Sequence, residues 1–180
     1  MSADRAAAAN VLGALALAVA DQLPADAFPA GGRADSAAAA LSALDQFLDR
    51  PTLDQLRRVL GVTHSGAVRL VDRLTAAGLA ERGSGPDGRT RAVRLTPAGR
   101  RAAQRIAAQR TRYLAGLLTG FSAAETRTFH DLLGRVMAQV VRHKDGGAWI
   151  CRRCDLEACG RPAGNCPAAN AAAAKYGSPA

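Results

Sequence analysis

TLDQLRRVLGVTHSGAVRLVDRLTAAGLAERGSGPDGRTRAVRLT, residues 52–96, decides how the chain is read, because two short helical patterns run there into a glycine-rich, arginine-loaded hairpin pattern. Thr63 is a natural N-cap, its hydroxyl placed to accept from a free N–H of the first helical turn. After it Ala67, Leu70, Val71 and Leu74 fall at i, i+3, i+4 and i+7, one apolar stripe on a helix. Ser65, Arg69 and Asp72 then lie nearly opposite that stripe, with Val68 and Arg73 on its flanks. A buried stripe backed by short polar residues and arginines suits entry into a DNA major groove, where arginine reads a guanine edge with two bonds. An ordinary amphipathic surface helix shares that pattern, so the flanks have to decide.

Upstream, Thr52 and Gln55 form a capping box, and Leu53, Leu56, Val59 and Leu60 make the apolar face of a helix that stops at Gly61. The short Gly61-Val62-Thr63 link makes the pair a helix-turn-helix. Downstream, residues 83–88 are a dense turn signal between Leu79-Ala80-Glu81-Arg82 and the extended run of residues 89–95. Arg91, Val93 and Leu95 share one side of that strand and Thr90, Ala92 and Arg94 the other, so its polar alternation is imperfect.

Residues 36–143 resemble the MarR family of bacterial winged-helix transcription regulators. The likeness rests on HSGAVRLVDRLTAAGLAER, on the wing pattern PDGRTRAVRLTPAGR with Asp87, Arg89 and Arg91 at its acidic and basic positions, and on long helices at both sides. It implies a mainly α fold with a small β-hairpin: a winged helix-turn-helix flanked by long N- and C-terminal dimerisation helices. It also implies a homodimer on a pseudo-palindromic operator in double-stranded DNA, released by a small-molecule effector or by cysteine oxidation. Thr63, His64, Ser65, Arg69 and Arg73 are the expected DNA-binding residues of the second helix, with Arg89 and Arg91 in the wing.

Charge agrees with a polyanionic partner. The chain carries a net +9, and residues 50–112 alone hold 14 arginines and 4 acids, +10, against 10 basic and 11 acidic residues, −1, elsewhere. Phosphate contacts of this kind predict steeply salt-dependent binding.

Four segments follow: residues 1–35, an N-terminal dimerisation helix and linker; 36–97, the winged helix-turn-helix; 98–144, C-terminal dimerisation helices; and 145–180, a cysteine tail. In the first, Leu12, Leu15, Ala16, Val19 and Leu23 trace an apolar helical face. Arg5, the apolar run and Ala18-Val19-Ala20 imitate a signal peptide, but Asp4 cancels the basic end and Asn10 and Gly13 weaken the apolar core. No run reaches the roughly 18 consecutive apolar residues of a membrane span, so no membrane partner and a cytoplasmic location are expected. Residues 24–32 read as a loop, and Leu41, Leu44 and Leu48 mark a helix over 36–48 that Pro51 follows. Thr96-Pro97 starts a helix to about residue 118, whose Arg100, Arg101, Arg105, Arg110 and Arg112 read as a solvated face. Ser122 and Glu125 cap a further helix, carried on by Phe129, Leu132, Leu133, Val136, Met137 and Val140, and such apolar surface asks for a second copy.

All four cysteines stand in CRRCDLEACGRPAGNC, Cys151, Cys154, Cys159 and Cys166, spaced C-x2-C-x4-C-x6-C. Four thiolates in short loops suit zinc, first among the readings, with Arg152, Arg153 and Arg161 offsetting the net charge. An iron–sulfur cluster uses the same ligands, though not at this spacing, and redox-active thiols or plain disulfides need no metal. The expected function is a sequence-specific transcription regulator, a repressor, modulated by a metal, a redox signal or a small ligand. A nonspecific nucleoid-associated protein and a thiol or metal redox enzyme are the alternatives. No nucleophile elbow, phosphate loop or HExxH pattern supports catalysis, and no enzyme is expected. His130 and His143 read as helix-surface residues.

Overall fold

The computed structural model describes residues 2–23, 34–84, 91–143 and 147–177. The order is α1 (Ala3–Gln22), α2 (Ala34–Gln46), α3 (Leu53–Leu60), α4 (His64–Ala76), β1 (Ala80–Ser84), β2 (Arg91–Leu95), α5 (Pro97–Gly116), α6 (Ala123–His143), a 3-10 helix (Gly147–Arg153) and α7 (Pro167–Tyr176). Residues 24–32, read as a loop, lie outside the described residues, as does the wing tip at residues 85–90.

Local chemistry sets the boundaries. The Gln55 backbone N–H donates to Thr52 Oγ1 at 3.2 Å, and the Thr52 N–H donates back to Gln55 Oε1 at 2.8 Å, satisfying two donors that an uncapped α3 would leave free. Gly61 ends α3 in the left-handed region at φ 66°, where a side chain is disfavoured. Thr63 caps α4 through the Gly66 N–H at 3.1 Å. Ser122 and Glu125 form the reciprocal pair at α6, with bonds of 2.8 and 3.3 Å.

The core lies around α2. Ala37 through Ala43 are all buried, on every side of the helix, while Leu44 and Leu48 only edge the core. α2 is a central helix rather than an amphipathic one, and its alanines let α3, α4, α5 and β2 approach its backbone from several directions. Leu41, Leu56, Leu70 and Leu74 fill the space between, each worth about 1.5–3 kcal/mol of transfer free energy.

β1 and β2 pair antiparallel, Ala80 opposite Leu95 and Ser84 opposite Arg91. Ala92 and Val93 are both buried, which explains the imperfect alternation. The segment before α3 forms a short third rung on the free edge of β2, with a bridge between Thr52 and Ala92 and a bond from the Val93 N–H to the Pro51 carbonyl at 2.9 Å.

Thr96 joins the hairpin to α5. Its hydroxyl accepts from the Gly99 N–H at 3.0 Å and donates to the Gly78 carbonyl at 2.6 Å. Gly99 lies so close to the preceding turn that a Cβ would fall 1.8 Å from the Leu79 carbonyl oxygen.

The ends of the chain differ. None of the described side chains of α1 is buried, and Val11, Leu12, Leu15 and Leu17 are 64%, 42%, 45% and 70% exposed. Its apolar residues surround the helix rather than forming the single face expected. By length and mean hydropathy α1 is apolar enough to cross a membrane, although Asp4, Arg5 and Asp21 lie at its ends. The tail instead folds back. The 3-10 helix packs on α2 and α3, and α7 packs along α6, where Pro167 approaches Gly134 closely.

Candidate nucleic-acid interface and thiol cluster

α4 orients its residues as the spacing predicts. Ala67, Leu70, Val71 and Leu74 are buried, while Thr63, His64, Ser65, Arg69, Asp72 and Arg73 are exposed. Ser65 Oγ lies 3.3 Å from Thr63 Oγ1, so the capping hydroxyl and its neighbour form one polar edge at the helix start. This face also lines a groove of about 690 Å³ that continues to Gly61 and Val62.

The hairpin is tied to this helix by an ion pair that sequence spacing does not reveal. Arg82 Nη2 on β1 lies 2.7 Å from Asp72 Oδ1 on α4. Both side chains are partly exposed, so solvent screens the pair and its contribution is about 0–1 kcal/mol. Across the hairpin Arg94 Nε meets Glu81 Oε1 at 2.9 Å. Arg91 stands exposed at the start of β2 beside the wing tip. Asp87 and Arg89 lie outside the described residues.

On α5, Arg100, Arg101, Arg105 and Arg112 are exposed as a solvated face requires, but Arg110 is not. Its Nε is buried without a hydrogen-bond partner and faces the cysteine tail. This one arginine departs from the expected face because the tail covers it.

All four cysteines line a single cavity of about 380 Å³ between α5, α6 and the tail. The Cys154 thiol donates to the Ile150 carbonyl at 3.7 Å and the Cys159 thiol to the Leu156 carbonyl at 3.3 Å. Each is a free thiol, Cys151 and Cys166 being buried. The Cys154 thiol and, against the opposing effect of burial, the Arg161 guanidinium hold the Cys151 thiol down to about 6, with Arg161 Nη1 3.4 Å from its sulfur. The neighbouring Cys151 pushes Cys154 well above the usual thiol range, and burial adds to it. Burial also raises Cys159, with Cys166 contributing. One ion held by four thiolates at about 2.3 Å needs all four sulfurs around one point. Among the described residues no three His, Cys, Asp or Glu side chains are so placed. His143 ends α6 exposed, and His130 is a surface residue beside Asp131, Nδ1 to Oδ1 3.5 Å.

Comparison with known proteins bears on the fold. The model of the MarR family matches residues 32–90. No curated protein matches the chain. Among solved structures, a MarR family protein from Bacillus stearothermophilus is similar with a TM-score of 0.64 and 21% identity, over 78% of this chain and 99% of that one. A protein from Mycobacterium tuberculosis is similar with a TM-score of 0.60 and 24% identity, over 76% and 92%. A MarR family transcription regulator reaches 27% identity with a TM-score of 0.50, over 61% and 74%. The fold is thus a winged helix-turn-helix of the MarR type, with a two-stranded wing between long helices.

Proposed function

We propose that this chain, whose winged-helix region is of the MarR family, is a homodimeric transcription regulator that reads a pseudo-palindromic site in double-stranded DNA. One observation carries the reading: α4 buries a complete apolar stripe while its polar, arginine-bearing face stands open, next to a wing and within the +10 portion of the chain. In this reading Arg69 contacts a base edge, and Arg91 and Arg89 contact phosphates. Thr63, His64, Ser65 and Arg73 complete the surface around the helix start.

The second copy is supported by surface the chain leaves bare. Leu132, Leu133, Val136 and Val140 on α6 are each at least 40% exposed, as are Leu117 and Phe121 before it and the leucines of α1. Contiguous apolar surface of this kind marks an interface. Two copies joined there would carry two α4 helices to successive half-sites about one DNA turn apart.

The test is selection of preferred duplexes from a random library, followed by titration against random duplex. A regulator prefers its selected site by roughly 10³ or more. Equal affinity for both would identify a nonspecific coating protein instead. Arg69→Ala should lose about 1–3 kcal/mol at the selected site and relax base preference, whereas Arg91→Ala should weaken every duplex alike and reduce the salt slope by about 1.

A further inference from the structure

The tail is fastened to the rest of the chain on two sides. On one, the Leu156 N–H donates to Gln46 Oε1 at the end of α2, 3.2 Å away. On the other, Lys175 Nζ reaches the Arg142 carbonyl in the last turn of α6 at 2.9 Å. Between these anchors the chain runs through tight turns, closed by the Cys154 N–H on the Cys151 carbonyl and by the Asn165 N–H on the Gly160 carbonyl, both at 2.9 Å. The turns bring all four cysteines to the one cavity of about 380 Å³, whose far wall includes Leu114, Leu133 and Met137 of α5 and α6.

Cations meet this cavity, and acids do not balance them. Arg161 Nη1 lies 3.4 Å from the Cys151 sulfur. Arg110 lines the cavity too, and its buried Nε has no hydrogen-bond partner among the described residues. Asp155 is the one acid in the lining, and its Oδ1 already accepts from the Glu157 and Ala158 N–H groups at 3.1 Å each. A guanidinium buried without a counter-charge is costly, so the arrangement calls for an anion held by the cysteines themselves. The start of α7 points the same way. Cys166 is its N-cap, yet the side chain makes no capping bond, which leaves the sulfur beside the partial positive charge of a helix start.

We propose that Cys151, Cys154, Cys159 and Cys166 hold an iron–sulfur cluster in this cavity. The geometry separates a cluster from a single ion. Four thiolates on one zinc converge on a point about 2.3 Å from each sulfur, whereas among the described residues no three His, Cys, Asp or Glu side chains are so placed. A cluster needs less convergence, because each iron takes only one or two of the protein thiolates and inorganic sulfide fills the space between the irons. Four cysteines spread around a cavity are that ligand set. Each thiol releases its proton as it binds iron, so four thiolates on a core of about +2 leave about −2, which Arg110 and Arg161 offset. Leu114, Leu133 and Met137 supply the apolar cover that limits solvent access. The spacing is not that of the ferredoxin runs, although Pro167 follows the last cysteine here as a proline does in the bacterial run. None of this depends on the DNA-binding reading above.

The experiment uses the full chain, purified without oxygen and, in parallel, stripped and rebuilt with ferrous iron, sulfide and a small thiol. Metal analysis, sulfide assay, visible absorption and cysteine alkylation are read on both. The expected protein is coloured and holds iron and acid-labile sulfide in equal number, about two or about four of each per chain, the count deciding between a two-iron and a four-iron core. All four cysteines resist alkylation until a chelator takes the iron. Cys151→Ser with Cys154→Ser should lose the iron. Because that variant could also misfold, Arg110→Gln keeps every ligand and should give up iron to a chelator about 10- to 100-fold faster, while Arg112→Gln, at an exposed position of the same helix, should match the unaltered chain. Zinc in place of iron, iron without matching sulfide, or no cluster in either preparation overturns the proposal. So do cysteines that alkylate equally fast with and without iron, and an Arg110→Gln chain that releases iron at the unaltered rate. Failure to prefer any duplex would sink the regulator reading and leave these readouts unchanged.

Discussion

Gly99 shows how much can rest on one missing methyl group. Its hydrogen occupies the only space left between α5 and the Leu79 carbonyl, where a Cβ would sit 1.8 Å from backbone oxygen. Gly99→Ala should therefore destabilise the fold by about 1–3 kcal/mol or more, since backbone rather than a flexible side chain has to give way. Denaturant unfolding measures it, and an unchanged midpoint would contradict the geometry. Cys151 offers a second single-residue test. Its thiol is held down to about 6, chiefly by the Cys154 hydrogen bond and further by Arg161 against burial. The thiolate is the reactive form, so alkylation of Cys151 should be at its plateau at neutral pH and fall as pH drops through about 6. Arg161→Ala should move that midpoint upward, as mass spectrometry of quenched samples would show.

Among the elements, α3 depends on its capping box. Thr52→Ala removes the acceptor for the Gln55 N–H and one partner of the Gln55 side chain, so about 1 kcal/mol of stability should be lost. Thermal unfolding of the variant checks this, and Ser in place of Thr52 should restore most of it. The capping boxes, the Gly61 stop and the α4 stripe were legible in the sequence because each depends on residues within a few positions of one another, at most seven. α2 was not. Leu41, Leu44 and Leu48 suggested a one-sided helix, whereas an alanine run carries no period from which all-round burial can be read. The Thr52–Ala92 bridge and the Arg82–Asp72 pair also escaped notice, because they join residues far apart in sequence. The four cysteines were visible as a cluster, but the carbonyls and the Arg161 guanidinium that meet their sulfurs depend on how the tail folds.

At the level of the whole molecule, the described residues leave two apolar surfaces bare, around α1 and along α6. Light scattering should find the protein dimeric. Val136→Glu together with Val140→Glu should produce monomers by placing charge in that surface, and the monomer should lose affinity for a two-half-site duplex more than for a single half-site. A monomeric unaltered chain would remove the basis for paired recognition helices. Salt acts on the same assembly, because the basic excess is concentrated in residues 50–112, and duplex affinity should fall linearly with the logarithm of salt concentration.

The small rung formed by Pro51 and Thr52 has a mechanical consequence. It bonds Pro51, the residue before the α3 cap, to the middle of β2, while Arg82 ties β1 to α4. Hairpin and helix pair are thereby stitched at two separate points, and they should open together, as one cooperative unit in hydrogen exchange. A phosphate gripping the wing would then act on the helix in the groove through a stiff linkage, so that both contacts would be kept, or lost, in a single step.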